Sequence, residues 1–154
     1  MMLVVDTDVI VAAVRSRKGA SAALLALLIE GNGTLLMTVA LALEYETIAL
    51  LPEHVMAGGA SLAAASSLVK TLIDIATPVK VSFQYRPQLS DPGDEMVLEA
   101  AINGHADMIV SFNARDYRKD GRIIPNAFGI AVMTPAQALQ QIRTLKDTRE
   151  RRPS

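Results

Sequence analysis

Cysteine is missing from the 154 residues. With it go disulfide frameworks, thiolate metal sites and cysteine nucleophiles, and the absence fits a reducing compartment, most simply the cytoplasm. An excess of one charge is missing too, since 15 Lys and Arg stand against 16 Asp and Glu. No global basic field exists to gather a polyanion, so any nucleic-acid contact must come from a local patch. The histidines are His54 and His105 alone, neither with an i, i+4 partner, which argues against a histidine-held metal. Long apolar runs are lacking as well. The start, MMLVVDTDVIVAAV, has no basic n-region and is interrupted by Asp6 and Asp8, so neither a signal peptide nor a membrane span is expected and the chain reads as soluble.

What the chain does have is apolar residue in quantity, 51%, enough for one domain of this length to bury a core. Leu3-Val4-Val5 is a short run rich in β-branched residues and ended by Asp6, which reads as a strand buried on both faces. Helical spacing follows in Val9, Ile10, Ala13 and Val14, then an alanine and leucine helix from Ala20 to Glu30 closed by Gly31 and Gly33. Leu35 to Met37 reads as a second strand ending at Thr38, and Ala40 to Leu51 as a helix stopped by Pro52. Gly58 to Ala76 reads as one more helix, Val79 to Val81 as a short strand and Gln84 to Ser90 as a loop. Ser90-Asp91-Pro92-Gly93-Asp94-Glu95 opens a helix that runs to about Asn103, with Gly104 as its stop. Met108 to Phe112 and Gly129 to Met133 are further strands, and Thr134-Pro135 starts a last helix through about Leu145. The expectation is a doubly wound three-layer α/β/α domain over 1–145 with a mainly parallel sheet, and a charged, disordered tail over 146–154.

In open parallel sheets ligands bind beyond the carboxyl ends of the strands, and the residues standing there are acidic or polar. Asp6 follows the first strand, Thr38 the second, and Ser111 and Asn113 end the Met108 strand, with Asp116 just beyond. Asp94 lies in the first turn of a helix that a right-handed crossover brings to the same edge, and Glu44 lies one to two turns into its helix. Carboxylates gathered without neutralisers repel each other, and a hard divalent cation relieves them. Oxygen-only ligands point to Mg²⁺ or Mn²⁺, and an ion so held suits phosphodiester hydrolysis. Each residue also has a plainer role. Asp6 can cap the following helix, Asp94 can complement a helix dipole as Asp91 and Glu95 can, and Asn113 with Asp116 can form a turn.

Four segments resemble the PIN-domain family, in particular its VapC-like toxin ribonucleases: LVVDTDVIVAAV, ALALEYETIALL, DPGDEMVLEAAINGHADMIVSFN and SFNARDY. The resemblance implies catalytic and metal-binding roles for Asp6, Glu44, Asp94 and Asp116, with Glu46 the competing match for Glu44 and Asn113 beside Asp116. It departs from many members at Asp8, where they have Asn, and at Asn113, where some carry an acid. The implied activity is metal-dependent endonucleolytic cleavage of RNA. The implied partners are an antitoxin protein and a second copy of the chain.

Ser111, Thr38 and Asn113 are then supporting polar residues, and Arg115 and Arg118, from a basic cluster with Lys119 and Arg122, are candidate phosphate contacts. One rival is a catalytically weak or inactive member of the same fold that binds nucleic acid or serves as a scaffold. A second is a receiver-like phosphohydrolase with an aspartyl nucleophile, against which the lack of a suitably placed lysine counts.

Overall fold

A computed structural model describes residues 1–83 and 89–153 of the chain. Its elements run β1 (Met2–Val5), α1 (Thr7–Arg15), α2 (Ala20–Ile29), β2 (Thr34–Met37), α3 (Val39–Ala49), α4 (Pro52–Ala57), α5 (Leu62–Ile75) and β3 (Thr77–Pro78). Then follow α6 (Pro92–Asn103), β4 (Met108–Val110), a 3-10 helix (Ala114–Tyr117), β5 (Arg118–Lys119), β6 (Arg122–Ile123), a second 3-10 helix (Ile124–Phe128), β7 (Ala131–Met133) and α7 (Pro135–Glu150). The fold is the expected three-layer α/β/α arrangement around a mainly parallel sheet.

The sheet has five strands in the order β3-β2-β1-β4-β7, all paired in parallel. The chain builds outward from β1 to β3 and then returns to add β4 and β7 on the other side. That reversal makes a topological switch point between β1 and β4, and a crevice opens beyond their carboxyl ends. Helices on both faces explain the unbroken apolar runs: Leu3, Val4 and Val5 are all 0% exposed, as are Ile109 and Val110. α6 lies against β1, β2 and β4, whereas α2 packs on α1, α5 and α7.

Several boundaries differ from the sequence reading. The helix expected over 58–76 is α5 alone, because Ser61 caps it, its hydroxyl accepting from the Ala64 N–H at 3.1 Å. Ahead of it, Pro52 opens the short helix α4. Gly58 ends α4 against the last turn of α1, where a Cβ would stand 2.0 Å from the Val14 carbonyl oxygen. The third strand is Thr77–Pro78, not 79–81, although Val79 still donates from its N–H to the Met37 carbonyl at 2.9 Å. The loop assigned to Gln84 to Ser90 falls mainly outside the described residues.

α7 continues through Glu150 where a disordered tail was expected from Lys146. Opposite charges at i, i+4 spacing, Lys146 with Glu150 and Asp147 with Arg151, suit that extension, as does a full capping box between Thr134 and Gln137 at its start. Among the described residues, no helix is long and apolar enough to cross a membrane.

Candidate metal centre

The register of β1 and β4 pairs Val5 with Val110, so Asp6 and Ser111 leave adjacent strands side by side. The Asp6 N–H extends that ladder by donating to the Val110 carbonyl at 2.9 Å, and the Ser111 N–H donates to Met133 at 2.9 Å. Asp6 stands at the N-cap position of α1 but makes no capping hydrogen bond. Its carboxylate turns instead to two hydroxyls: Ser111 donates to Oδ2 at 3.0 Å and Tyr117 donates to the same oxygen at 2.9 Å. The Asp8 N–H in the first turn of α1 also pulls on this carboxylate, so the capping role and the metal-binding role stay compatible.

At the start of α6 the capping is done by Asp91, whose Oδ1 accepts from the Gly93 N–H at 2.7 Å, with Pro92 in the first turn. Asp94 is thus left free of capping work. Beyond β4 an Asx turn forms at Asn113, whose Oδ1 accepts from the Arg115 N–H at 3.0 Å. The same side chain donates through Nδ2 to Asp116 Oδ1 at 3.2 Å. Asn113 therefore holds the 3-10 helix and aims the acid on it.

These elements bring one carboxylate oxygen each from Asp6, Asp94 and Asp116 within 4.8 Å of one another. They line a pocket of about 260 Å³ that Asp8, Glu44 and Asp91 also border. Glu44 reaches the pocket from α3 without joining the tight trio, and Glu46 is exposed. Between them in sequence, Tyr45 is fully buried and donates its hydroxyl to the Val5 carbonyl, tying α3 to the end of β1. Thr38 is not at this site: its hydroxyl caps α3 by accepting from the Leu41 N–H at 3.1 Å. Arg115 and Arg118 are exposed on the segment that follows Asn113.

Among the described residues no Lys or Arg forms an ion pair with the trio. Burial, then the charges of Asp6, Asp116, Asp91 and Asp8, push the Asp94 carboxyl up to about 7. Burial also raises Asp6 above its ordinary value, against the pull of the Tyr117 and Ser111 hydroxyls. The Tyr117 phenol is driven far above its ordinary value by burial and by Asp6, so it remains an O–H donor. An all-oxygen set of carboxylates, with no cation paired to it among the described residues, fits a hard divalent cation. A larger pocket of about 580 Å³ between β7, α7 and Met1 is lined by Gln137, Gln140, Gln141, Thr144 and apolar side chains, with no acidic or basic side chain. Acid chemistry belongs to the smaller one.

A parallel α/β domain with an acidic pocket at its switch point belongs to a class in which strand-end carboxylates hold metal for work on phosphates. A family model for the PIN domain matches residues 2–115. The chain belongs to that family, whose members are generally nucleases that use divalent metals. No curated protein and no solved structure matches the chain. Sequence reasoning missed Tyr117, whose only signal was a hydroxyl-bearing aromatic directly after Asp116.

Proposed function

We propose that the chain is a Mg²⁺- or Mn²⁺-dependent endoribonuclease, the toxin of a toxin–antitoxin pair in the cytoplasm. The observation that carries the nuclease reading is the approach of the Asp6, Asp94 and Asp116 oxygens to within 4.8 Å with no cationic side chain paired to them among the described residues. Those residues would hold the ion. When bound, it would supply an activated water and a positive charge facing a phosphate oxygen. Glu44, on the wall of the same pocket, is the fourth carboxylate of the reading and would orient water at the site. Arg115 and Arg118 are exposed next to Asp116 in sequence, where they suit the backbone of a single strand.

The toxin role, the antitoxin and a homodimer are supported by the resemblance of the four segments, and by apolar surface in need of a cover. Val39 and Leu43 on α3 are 77% and 59% exposed, and Met56 and Leu62 are 79% and 60% exposed. A second reading, a weakly active or inactive nucleic-acid binder, is favoured by Asn113, which spends its side chain on Asp116 and Arg115 where a carboxylate would add a ligand.

The test is cleavage of mixed single-stranded RNA by the purified chain with Mn²⁺, Mg²⁺ or EDTA, with Asp6→Asn prepared identically. Cutting that needs metal and is lost in Asp6→Asn is the expected result. RNA binding without cutting under any metal would favour the second reading.

A further inference from the structure

We propose that Tyr117 is a positioning residue that makes Asp6 a one-oxygen ligand, and so biases the site toward a small six-coordinate cation and against calcium. The inference rests on the metal-centre reading above and adds to it a selectivity device and the residue that operates it.

Both hydroxyl donors meet on a single atom, with Tyr117 at 2.9 Å and Ser111 at 3.0 Å from Asp6 Oδ2. With both hydroxyls on Oδ2, the other oxygen is assigned to the cation. Swinging the carboxylate to offer both oxygens would break two hydrogen bonds at once, in a place where solvent cannot replace them. Tyr117 is 0% exposed, Ser111 3% and Asp6 7%. The donors also approach from different elements. Ser111 directly follows β4 and is held to β7 by its N–H on the Met133 carbonyl, whereas Tyr117 ends the 3-10 helix that carries Asp116. One short segment, 113–117, therefore delivers one candidate ligand and pins another.

Carboxylate denticity is what separates the hard cations. Calcium takes 6–8 oxygens at about 2.3–2.6 Å and readily uses both oxygens of a carboxylate, whereas magnesium demands near-octahedral single contacts at about 2.0–2.1 Å. A carboxylate held to one oxygen favours the latter, and outer partners that hold a ligand in this way typically carry about 10- to 100-fold of metal affinity.

The test needs no turnover. Mn²⁺ binding to the full chain is followed by loss of the free-ion EPR signal, and Ca²⁺ and Mg²⁺ are titrated in competition. Wild type is expected to prefer Mn²⁺ and Mg²⁺ over Ca²⁺. In Tyr117→Phe the Mn²⁺ affinity should fall about tenfold while Ca²⁺ falls much less, so that the Mn²⁺/Ca²⁺ ratio narrows. Ser111→Ala should move the ratio the same way, and it carries the test alone if Tyr117→Phe does not fold. Equal losses for both ions, or no loss, would overturn the proposal and leave Tyr117 a packing residue. A wild-type chain that binds neither ion would overturn the metal-centre reading itself.

Discussion

Replacing Asp94 by Asn should stabilise the metal-free protein and abolish its stabilisation by metal. Burial and four neighbouring acids lift the Asp94 carboxyl from 3.8 to about 7. At about 1.36 kcal/mol per pH unit the gap is worth about 4 kcal/mol. The side chain is only partly buried, so solvent screening reduces the expected cost of the charge to about 1–2 kcal/mol. An acid raised on folding binds its proton more tightly in the native state, so stability falls as pH rises from about 4 to about 7, and the full cost is present only above that window. Asn carries no such charge. In EDTA at pH 8, Asp94→Asn should melt about 2–8 °C above wild type, given about 2–4 °C per kcal/mol for a chain of this size, and the gain should shrink toward zero near pH 4.

With Mn²⁺ the order reverses. A ligand at a hundred times its dissociation constant adds about 2.7 kcal/mol to wild type, and the variant should gain little. Thermal melts at both pH values, with EDTA and with Mn²⁺, check all of this. No rise at pH 8 in EDTA would refute the electrostatic argument, and an equal Mn²⁺ gain in variant and wild type would remove Asp94 from the ligand set.

Glu44→Gln should weaken Mn²⁺ binding less than Asp94→Asn, because Glu44 lines the pocket outside the trio, yet it should lower RNA cleavage at saturating metal; paired EPR and cleavage titrations separate the two effects. Joint replacement of Arg115 and Arg118 by Ala should weaken RNA binding across sequences and flatten the dependence of log affinity on log salt by about 1–2, measured by anisotropy in an Asp6→Asn background. Gly58→Ala should destabilise the fold by about 2 kcal/mol or more, seen in denaturant melts, since its Cβ would stand 2.0 Å from the Val14 carbonyl oxygen and backbone must shift to admit it.

The parts of the site that the sequence disclosed are those where strong local signals coincide. β1 and β4 are unbroken apolar runs that stop at a polar residue, and the α6 start carries a cap, a proline and acids within four positions. The rest depended on packing that no local pattern encodes. The β5–β6 hairpin has two residues per strand, too few for an alternation to show. Thr38 stands after a strand like Asp6, but its hydroxyl is taken by the helix it begins. α3 is apolar on every side, with Val39 and Leu43 outward and Leu41 and Tyr45 inward, so periodicity names no inner face for Glu44. Tyr117 reads as an ordinary core aromatic until the fold shows its hydroxyl on Asp6.

The division of labour among neighbouring polar residues explains how a small domain keeps charged groups together with no cationic side chain paired to them among the described residues. Each carboxylate of the trio stands next to a residue that does the local structural work for it. Asp91 caps α6 beside Asp94, Asn113 starts the 3-10 helix beside Asp116, and Ser111 with Tyr117 satisfies one oxygen of Asp6. The local hydrogen bonds are therefore made by protein groups alone, and the repulsion left among the carboxylate oxygens favours whatever positive charge enters the pocket. Replacing a helper should loosen the geometry of its acid while leaving the charge in place, whereas replacing an acid removes charge from a frame that persists. The two kinds of substitution should then separate in experiment, with the helpers changing which ion is preferred and the acids changing whether one binds.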